Sequence, residues 1–581
     1  MKVSDFISEF LSKKTTHVFG GQGGFIVHIA NSIDKNDKLK FIPGQNEQAS
    51  SMAADAYHRV TNKLGVAIAT SGPGIINLFQ GIACSYFDSI PSLYITGAPV
   101  LQQLRLNKKI RQIGFQEMEV VDLVKPITKY AVLIKNPKKI KYELEKALYI
   151  ANTGRKGPVL VDVPDDIQRM NLNFSKLKGF VKPIKKKAIS KSFKLKIKRL
   201  YSLIMNSKKP TLVIGHGVKL SNCEKQLKKF IKKNKIPFLT TWACLDMFKF
   251  DNELNAGTFG VAATRNGNFV VQESDLLIFL GARMSPQLIG SNPKIFSPKS
   301  KKVLIDIDKN EFKNHRLPKI SLKINADVFN VVKELSNKSY KNLNLNKWIY
   351  KINYLKKMFP ICSDQNLKNN KHVDPYAFFY YLNQVLNSKH MIIPDASANL
   401  IWAMQGLKVD NQKIFTALNH SPMGYSVPAS VGAYFGDQQK NIISIIGDGS
   451  LQMNIQELET IKNFKVNVKI FVINNKGYGL IKQTLETWLN SKYTGVDKKS
   501  GLSLPNFISI SKAYGIKTFN IKNNLNLKSK LKHIINLKGP VLINVNVDPK
   551  KRVKPKIDYG NPLHEMSPKL DQNFIKSIVD I

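Results

Sequence analysis

Two short stretches of the chain carry residues suited to holding a diphosphate and a cation. The first is NIISIIGDGSLQMNIQELET, an apolar run into Gly447-Asp448-Gly449-Ser450 with an amphipathic helix expected after it. Glycine there lets the main chain approach phosphate oxygens closely, and a helix start offers free N–H groups to an anion. Asp448 can hold a cation against that anion. The second is KIFVINNKGYG, a run ending at Asn474-Asn475 with Gly477 in the following turn. A carboxylate, an amide oxygen, a main-chain carbonyl, two phosphate oxygens and a water make the six oxygen ligands that Mg²⁺ prefers. GDGS alone reads as an ordinary turn. Paired with NN at the end of a second apolar run, 29 residues from Gly447 to Asn475 inclusive, it reads as a site. A third feature is Glu47 in FIPGQNEQASSMAADAYHRV, an acid between a strand-like FIP and a small-residue helix. Taken alone it is a first-turn acid stabilised by the helix dipole.

These residues need rigid elements behind them. Short apolar runs ending in Gly or Pro, each followed by helical periodicity, recur in three segments and predict βα units in parallel sheets. Residues 1–170 carry strand candidates at 16–20, 65–70, 92–97 and 158–164. A Lys- and Pro-bearing stretch, 180–194, reads as a linker. Residues 195–340 carry candidates at 210–215, 275–281 and 302–308. Residues 372–550 carry them at 391–395, 441–449, 468–475 and 540–547, and 551–581 read as a tail packed over a neighbouring surface. The expected fold is α/β, with three doubly wound parallel-sheet domains whose ligand sites lie beyond the carboxyl ends of the strands.

The GDG and NN pair resembles the thiamine-diphosphate fingerprint. The likeness extends through THVFGGQGG, NEQASSMAADAY, ATSGPGIINLFQGIACSYFDSIPSLYITG, GPVLVDVPDDIQ, SDLLIFLGAR, VLIDIDKNE and PMGYSVPASVGAY, nearly the whole chain in order. By these phrases the chain resembles the acetolactate synthase family. That resemblance implies a pyrimidine-binding, a central and a diphosphate-binding domain. Active sites would lie between subunits of a homodimer or homotetramer. It implies Asp448, Asn475 and the Gly477 carbonyl as Mg²⁺ ligands, with Gly447, Gly449 and Ser450 at the diphosphate. Glu47 becomes the acid hydrogen-bonded to the pyrimidine N1′. Gly72 and Asn77, in and after SGPG, would lie near the cofactor. Met423 matches the bulky apolar wedge that bends it, a part that suits the adaptable Met side chain. Gln116 in FQE would point at the reacting centre, and Gly23 and Gly24 would turn main-chain N–H groups to the substrate. Arg283 in GAR matches a contact to FAD, which stands as a candidate further cofactor.

Several positions depart from the family. Gln45-Asn46-Glu47 replaces Arg-His-Glu, and Gly21-Gln22-Gly23-Gly24 replaces Tyr-Pro-Gly-Gly. Thr484 stands where Trp narrows the acceptor pocket, so a wider and more polar pocket is expected. For FAD, Gln287 replaces a second Arg, and Gly257-Thr258-Phe259-Gly260 replaces the GMHG phrase.

The resemblance implies loss of CO₂ from a 2-keto acid, pyruvate foremost, and transfer of the remaining acyl unit to a second carbonyl. With pyruvate as acceptor the product is 2-acetolactate, of the branched-chain amino-acid type. Two alternatives share the first half. One is transfer to a larger acceptor such as a 4-keto nucleotide sugar; the other is simple decarboxylation. Net charge is +48, yet only ten of the 89 basic residues are Arg, and the Lys are scattered. This reads as solvated surface, and no nucleic-acid partner is expected. Four cysteines, Cys84, Cys223, Cys244 and Cys362, stand far apart without CxxC or His clusters, which fits a reducing compartment. The start shows no signal peptide, and no apolar run is long enough to span a membrane, so a cytoplasmic location without a membrane partner is expected.

Overall fold

The computed structural model describes residues 1–580, apart from 106–108, 184–189, 314–315, 317–318, 369–370 and 491. It contains three six-stranded sheets, parallel throughout. The first is built from β1 (His17–Gly20), β2 (Lys40–Pro43), β3 (Gly65–Ala69), β4 (Ser92–Ala98), β5 (Tyr130–Leu133) and β6 (Val159–Pro164), in the order β2-β1-β3-β4-β6-β5. The second uses β7 (Pro210–Ile214), β8 (Phe238–Thr240), β9 (Asn255–Thr258), β10 (Leu276–Leu280), β11 (Lys301–Asp306) and β12 (Ile320–Asn325), in the order β12-β11-β10-β7-β8-β9. The third uses β13 (His390–Pro394), β14 (Lys413–Ile414), β15 (Asn441–Gly447), β16 (Val468–Asn474), β17 (Lys517–Ile521) and β18 (Val541–Asn546), in the order β14-β13-β15-β16-β18-β17. Three parallel sheets among helices are the architecture the sequence predicts.

Every expected strand forms, because each is largely apolar and most are buried on both faces, as parallel sheets require, with single polar residues such as Asp162 and Ser444 buried among them. The strands that the sequence hides are short or lie at sheet edges. β5, β12 and β17 are only partly buried; β12 and β17 are interrupted by polar residues, and β5 is a run of only four residues, Tyr130–Leu133. Of the stretch read as a linker, 184–189 lie outside the described residues, and Lys191 opens a helix capped by Ser190. The helix expected after GDGS is broken: Asp448–Leu451, a tight turn over Gln452–Asn454, then Glu457–Asn463. At the break the Asn454 amide donates to Gly424 O, 3.0 Å.

Five helices border the strand ends and the domain interfaces: α1 (Glu47–Thr61), α2 (Pro73–Asp88), α3 (Ala398–Gly406), α4 (Ser426–Gly436) and α5 (Gly479–Leu489). α1 carries Ala and Ser at its contact face, and α4 crosses it closely. A Cβ on Gly432 would stand 2.0 Å from Ala53 O, so only glycine permits this approach. The first and third domains therefore share one apolar core, running from Phe19 and Tyr57 to Ile442 and Val468. A buried polar cluster pins the same interface. The Arg59 guanidinium donates to Asp55 at 2.7 Å, Asp88 at 2.8 Å and Thr416 O at 3.0 Å, and Tyr425 Oη donates to Asp55 at 2.6 Å. The final segment lays Ile557, Leu563 and Met566 against the central domain's apolar core. The four cysteines are free. Among the described residues no helix is long and apolar enough to cross a membrane.

Candidate active site

Each sheet has one place where chain order reverses, and a crevice opens there between the carboxyl ends of neighbouring strands. In the third domain it lies between β13 and β15, in the first between β1 and β3, and in the central domain between β7 and β10. The residues singled out from the sequence cluster at these places or at the strand ends beside them.

In the third domain β15 and β16 are adjacent and parallel, and Gly447 pairs with Ile473. That register explains the 29-residue spacing: one crossover returns the chain to put Asn475 beside Asp448. The Asp448 carboxylate is buried and bridges the two turns, accepting N–H bonds from Gly449 at 2.7 Å and Gly477 at 3.0 Å. Burial pushes its pKa up to about 6, which those main-chain donors only partly offset. A buried carboxylate beside a buried amide, Asn475, with main-chain oxygens in reach, is a donor set for a hard cation. Gly477 has φ +135°, and a Cβ on it would stand 2.1 Å from Val496 O. A Cβ on Gly449 would meet the Tyr478 ring at 2.3 Å. Ser450 is buried beside them, and its hydroxyl bonds the Asp395 carboxylate.

Met423 belongs to the same group. Its neighbour Gly424 packs on the Ser450 carbonyl and Met453, and the Gly424 and Ser426 N–H groups donate to Asp395 at 3.0 and 2.8 Å. Asp395 was not legible as a site residue. It is the buried acid at the end of β13 that fixes the Met423 turn, and burial raises its pKa. Ser397 and Asn399 were also missed. Ser397 has φ +74°, a costly conformation for a residue with a side chain, and Asn399 Oδ1 lies 3.2 Å from where a Cβ on Gly447 would stand. Their one sequence signal is position: SAN directly follows an apolar strand run.

In the first domain Glu47 opens α1, with Asn46 as the cap accepting from Gln48 N at 2.7 Å. Asn77 on α2 donates to Glu47 Oε2 at 3.0 Å. Gly21 and Gly74 border Glu47 Oε1: a Cβ on either would stand 3.0 and 3.2 Å from it. Gly23 packs on Thr70, and Gly72 at φ +60° packs on Gln116, itself at φ +57° with its carbonyl bonded by Ser71 at 2.7 Å. Gly24 has no heavy atom within 4 Å of a would-be Cβ, so its main chain faces open space. Glu47, Gly24, Gly72, Asn77 and Gln116 thus form one group. Glu457, buried and without a signal in the sequence, joins this group to the third domain by accepting from Gln45 N at 3.0 Å.

Arg283 stands apart, at the end of β10 in the central crevice, where it hydrogen-bonds Asn419. Burial lowers its pKa, and Arg155 adds to the effect. Arg155 itself pairs with Asp308 at 3.4 Å and Glu311 at 2.8 Å beyond β11. Gly257 and Gly260 hold φ of +89° and +134°. A cation, a strand end rich in acids and side-chain-free turns fit a dinucleotide. Gln287 offers this crevice no charge; its carbonyl accepts from Val261 N at 2.8 Å. Thr484, on α5, donates to Leu480 O at 3.1 Å.

Three family models match in the same order as the three sheets. They describe the thiamine pyrophosphate enzyme N-terminal TPP binding domain (residues 1–123), central domain (197–335) and C-terminal TPP binding domain (395–545). Strand ends that gather a diphosphate-type motif in one domain and a lone glutamate in another suit that class, and the chain is a thiamine-diphosphate-dependent enzyme. Among similar proteins, the acetolactate synthase large subunit of Cyanidium caldarium is 32% identical over 572 residues, covering 96% of this chain and 95% of that protein. That of Porphyra purpurea is 32% identical over 559 residues, 95% and 92%. Acetolactate synthase isozyme 1 large subunit of Escherichia coli K12 is 28% identical over 568 residues, 97% of each. The chain belongs to the acetolactate synthase-like family of thiamine pyrophosphate enzymes.

Proposed function

We propose that the enzyme removes CO₂ from pyruvate and joins the remaining two-carbon unit to a second 2-keto acid, giving 2-acetolactate when that acceptor is pyruvate. The observation that carries this reading is the pairing of Asp448 with Asn475 across β15 and β16, in a chain similar to acetolactate synthases over nearly its whole length. Thiamine diphosphate would supply the carbon centre that adds to the keto group and accepts the electrons left by CO₂.

The protein's part is placement. Residues 372–550 would hold the diphosphate at Gly447, Gly449 and Ser450. Asp448, Asn475 and the Gly477 carbonyl would hold Mg²⁺ against it, which relieves the buried Asp448 charge. Residues 1–170 would present Glu47 to the pyrimidine N1′, with Asn77 fixing the carboxylate and Gly72 beside the ring. Met423, held by the Asp395 turn, would wedge the cofactor. Gly24 N–H and Gln116 would orient the keto acid. FAD would lie at Arg283 between residues 195 and 340, and a flavin absorbance band in purified protein tests this.

We place the working site between copies in a homodimer, alone or paired into a tetramer. Large apolar side chains flank both half-sites: Ile76 and Phe115, 50% and 75% exposed, beside Asn77 and Gln116, and Met453 and Ile481, 45% and 47% exposed, on the third domain. A second copy would cover them.

Carbon-product analysis tests the reaction. Purified protein receives thiamine diphosphate, Mg²⁺ and pyruvate, with and without a 4-keto nucleotide sugar. Acetolactate from pyruvate alone supports the reading. CO₂ release that depends on the sugar refutes it in favour of the larger acceptor, and acetaldehyde as sole product refutes it in favour of plain decarboxylation. The Thr484 hydroxyl donates to Leu480 O, so towards an acceptor substrate it is free only to accept a hydrogen bond.

A further inference from the structure

A cavity of about 200 Å³ lies between the central and third domains, lined by neither Glu47, Asp448 nor Arg283, with Gly257 of the turn described above on its border. One wall is aromatic and aliphatic, with Phe359, Tyr376, Tyr380 and Met404. The lining also carries two cations. Lys356 and Lys408 set their ammonium groups 5.4 and 5.1 Å from the centre of the same Phe250 ring. Lys356 also donates to Phe250 O at 3.1 Å and Asn252 O at 3.2 Å, whereas Lys408 is exposed at the rim. Burial pulls the Lys356 pKa down, and Lys408 adds to this while Asp251 opposes it. Among the described residues the cavity wall has no Asp or Glu. Two like charges converging on one ring leave an excess of positive potential that an anion would relieve. Thr258, also in the lining, is buried.

We propose that this cavity is a binding site for a small organic acid, its carboxylate at Lys356 and Lys408 and a ring-sized apolar body against Tyr376, Tyr380, Phe359 and Met404. The size suits this class: a dry cavity of about 150 Å³ accepts benzene. The apolar walls favour a carbon body over inorganic phosphate. The site is separate from the thiamine chemistry, yet α3 connects the two. Its end, Met404 to Gly406, lines the cavity, and its start, Asn399, borders Gly447.

Calorimetric titration of the full-length protein with phenylacetate, with 2-phenylethanol as the uncharged analogue, tests the proposal without requiring turnover. Saturable phenylacetate binding is expected with or without thiamine diphosphate and Mg²⁺. The alcohol should bind at least about fivefold more weakly, the weight of one partly exposed ion pair. Lys408→Gln should weaken phenylacetate by a similar factor and leave the alcohol unchanged. Absence of saturable binding, or equal binding of acid and alcohol, would overturn the proposal. So would Lys408→Gln protein that binds phenylacetate like the parent. Because binding is read directly, a failed product analysis would leave this outcome unaffected.

Discussion

Gly477→Ala is the most informative single change, because its cost can be worked from geometry alone. Gly477 sits at φ +135°, where a residue with a side chain is strained, and the new methyl would stand 2.1 Å from Val496 O. That same oxygen accepts the Tyr478 N–H at 2.9 Å, and the Gly477 N–H donates to Asp448 at 3.0 Å. Relief requires the turn to rotate, which breaks at least one of these bonds. Backbone strain of about 1–3 kcal/mol and a lost hydrogen bond of about 1 kcal/mol sum to roughly 2–4 kcal/mol. Gly501→Ala is the control: its φ is +95°, but its would-be Cβ has no heavy atom within 4 Å, so only the strain remains. Urea unfolding of cofactor-free protein should show Gly477→Ala as the less stable of the two. Titration with Mg²⁺ at fixed thiamine diphosphate should show its affinity reduced about 10–100-fold, as when a metal site's supporting groups are displaced, with the control unchanged. Equal unfolding free energies and equal Mg²⁺ midpoints for both variants would refute the account of this turn.

Glu47→Gln should lower the turnover of pyruvate by about 10²–10⁴-fold, the weight of a positioned proton-transfer partner, with cofactor affinity changed far less; single-turnover decarboxylation measures it. Arg59→Met leaves Asp55 and Asp88 buried without their cation and should cost about 3–5 kcal/mol in urea unfolding. His58 gives a pH signature. Burial lowers its pKa from 6.5 to about 4, so the folded chain holds it neutral, with Nδ1 2.6 Å from Lys63 O. The unfolded chain binds the proton first; the stabilisation is therefore whole above pH 6.5 and is lost as pH falls toward 4, up to ~3 kcal/mol. His58→Asn should make the fall of unfolding stability over that range less steep, with His17 and His216, whose pKa values burial also lowers to about 4, supplying the remainder, whereas an unchanged slope would count against a neutral buried imidazole.

The legible parts of this protein are those where one physical rule acts alone. β3, β4, β6, β10 and β15 are buried on both faces, so their sequences are mostly apolar. Asp448 and Asn475 were readable as a pair because adjacent parallel strands fix their spacing. β12 and β17 answer to edge positions, where half-exposed strands need no apolar run, and β5, also at an edge, is only four residues long, so they left little trace. Asp395, Ser397, Asn399 and Glu457 were hidden for another reason. Each works through a partner far along the chain: Asp395 through Gly424 and Ser426, Glu457 through Gln45. Nothing local distinguishes such an acid from its solvated neighbours. Thr484 illustrates the converse. The residue change was visible, but not the back-bond to Leu480 that takes its hydroxyl proton.

The first and third sheets have the same strand order, with each β1-like strand flanked by its second and third. α1 and α4 occupy matching stations, each between the second and third strands of its sheet, and they pack against each other. Matching stations also carry the two chemistries: SGPG follows β3, and GDG follows β15. The two lobes therefore repeat one plan and meet helix to helix, with Gly432 and Ala53 at the meeting point, where a Cβ on Gly432 would stand 2.0 Å from Ala53 O. Such a crossing tolerates almost no side-chain bulk, so the fit of one lobe on the other hangs on a single missing methyl group.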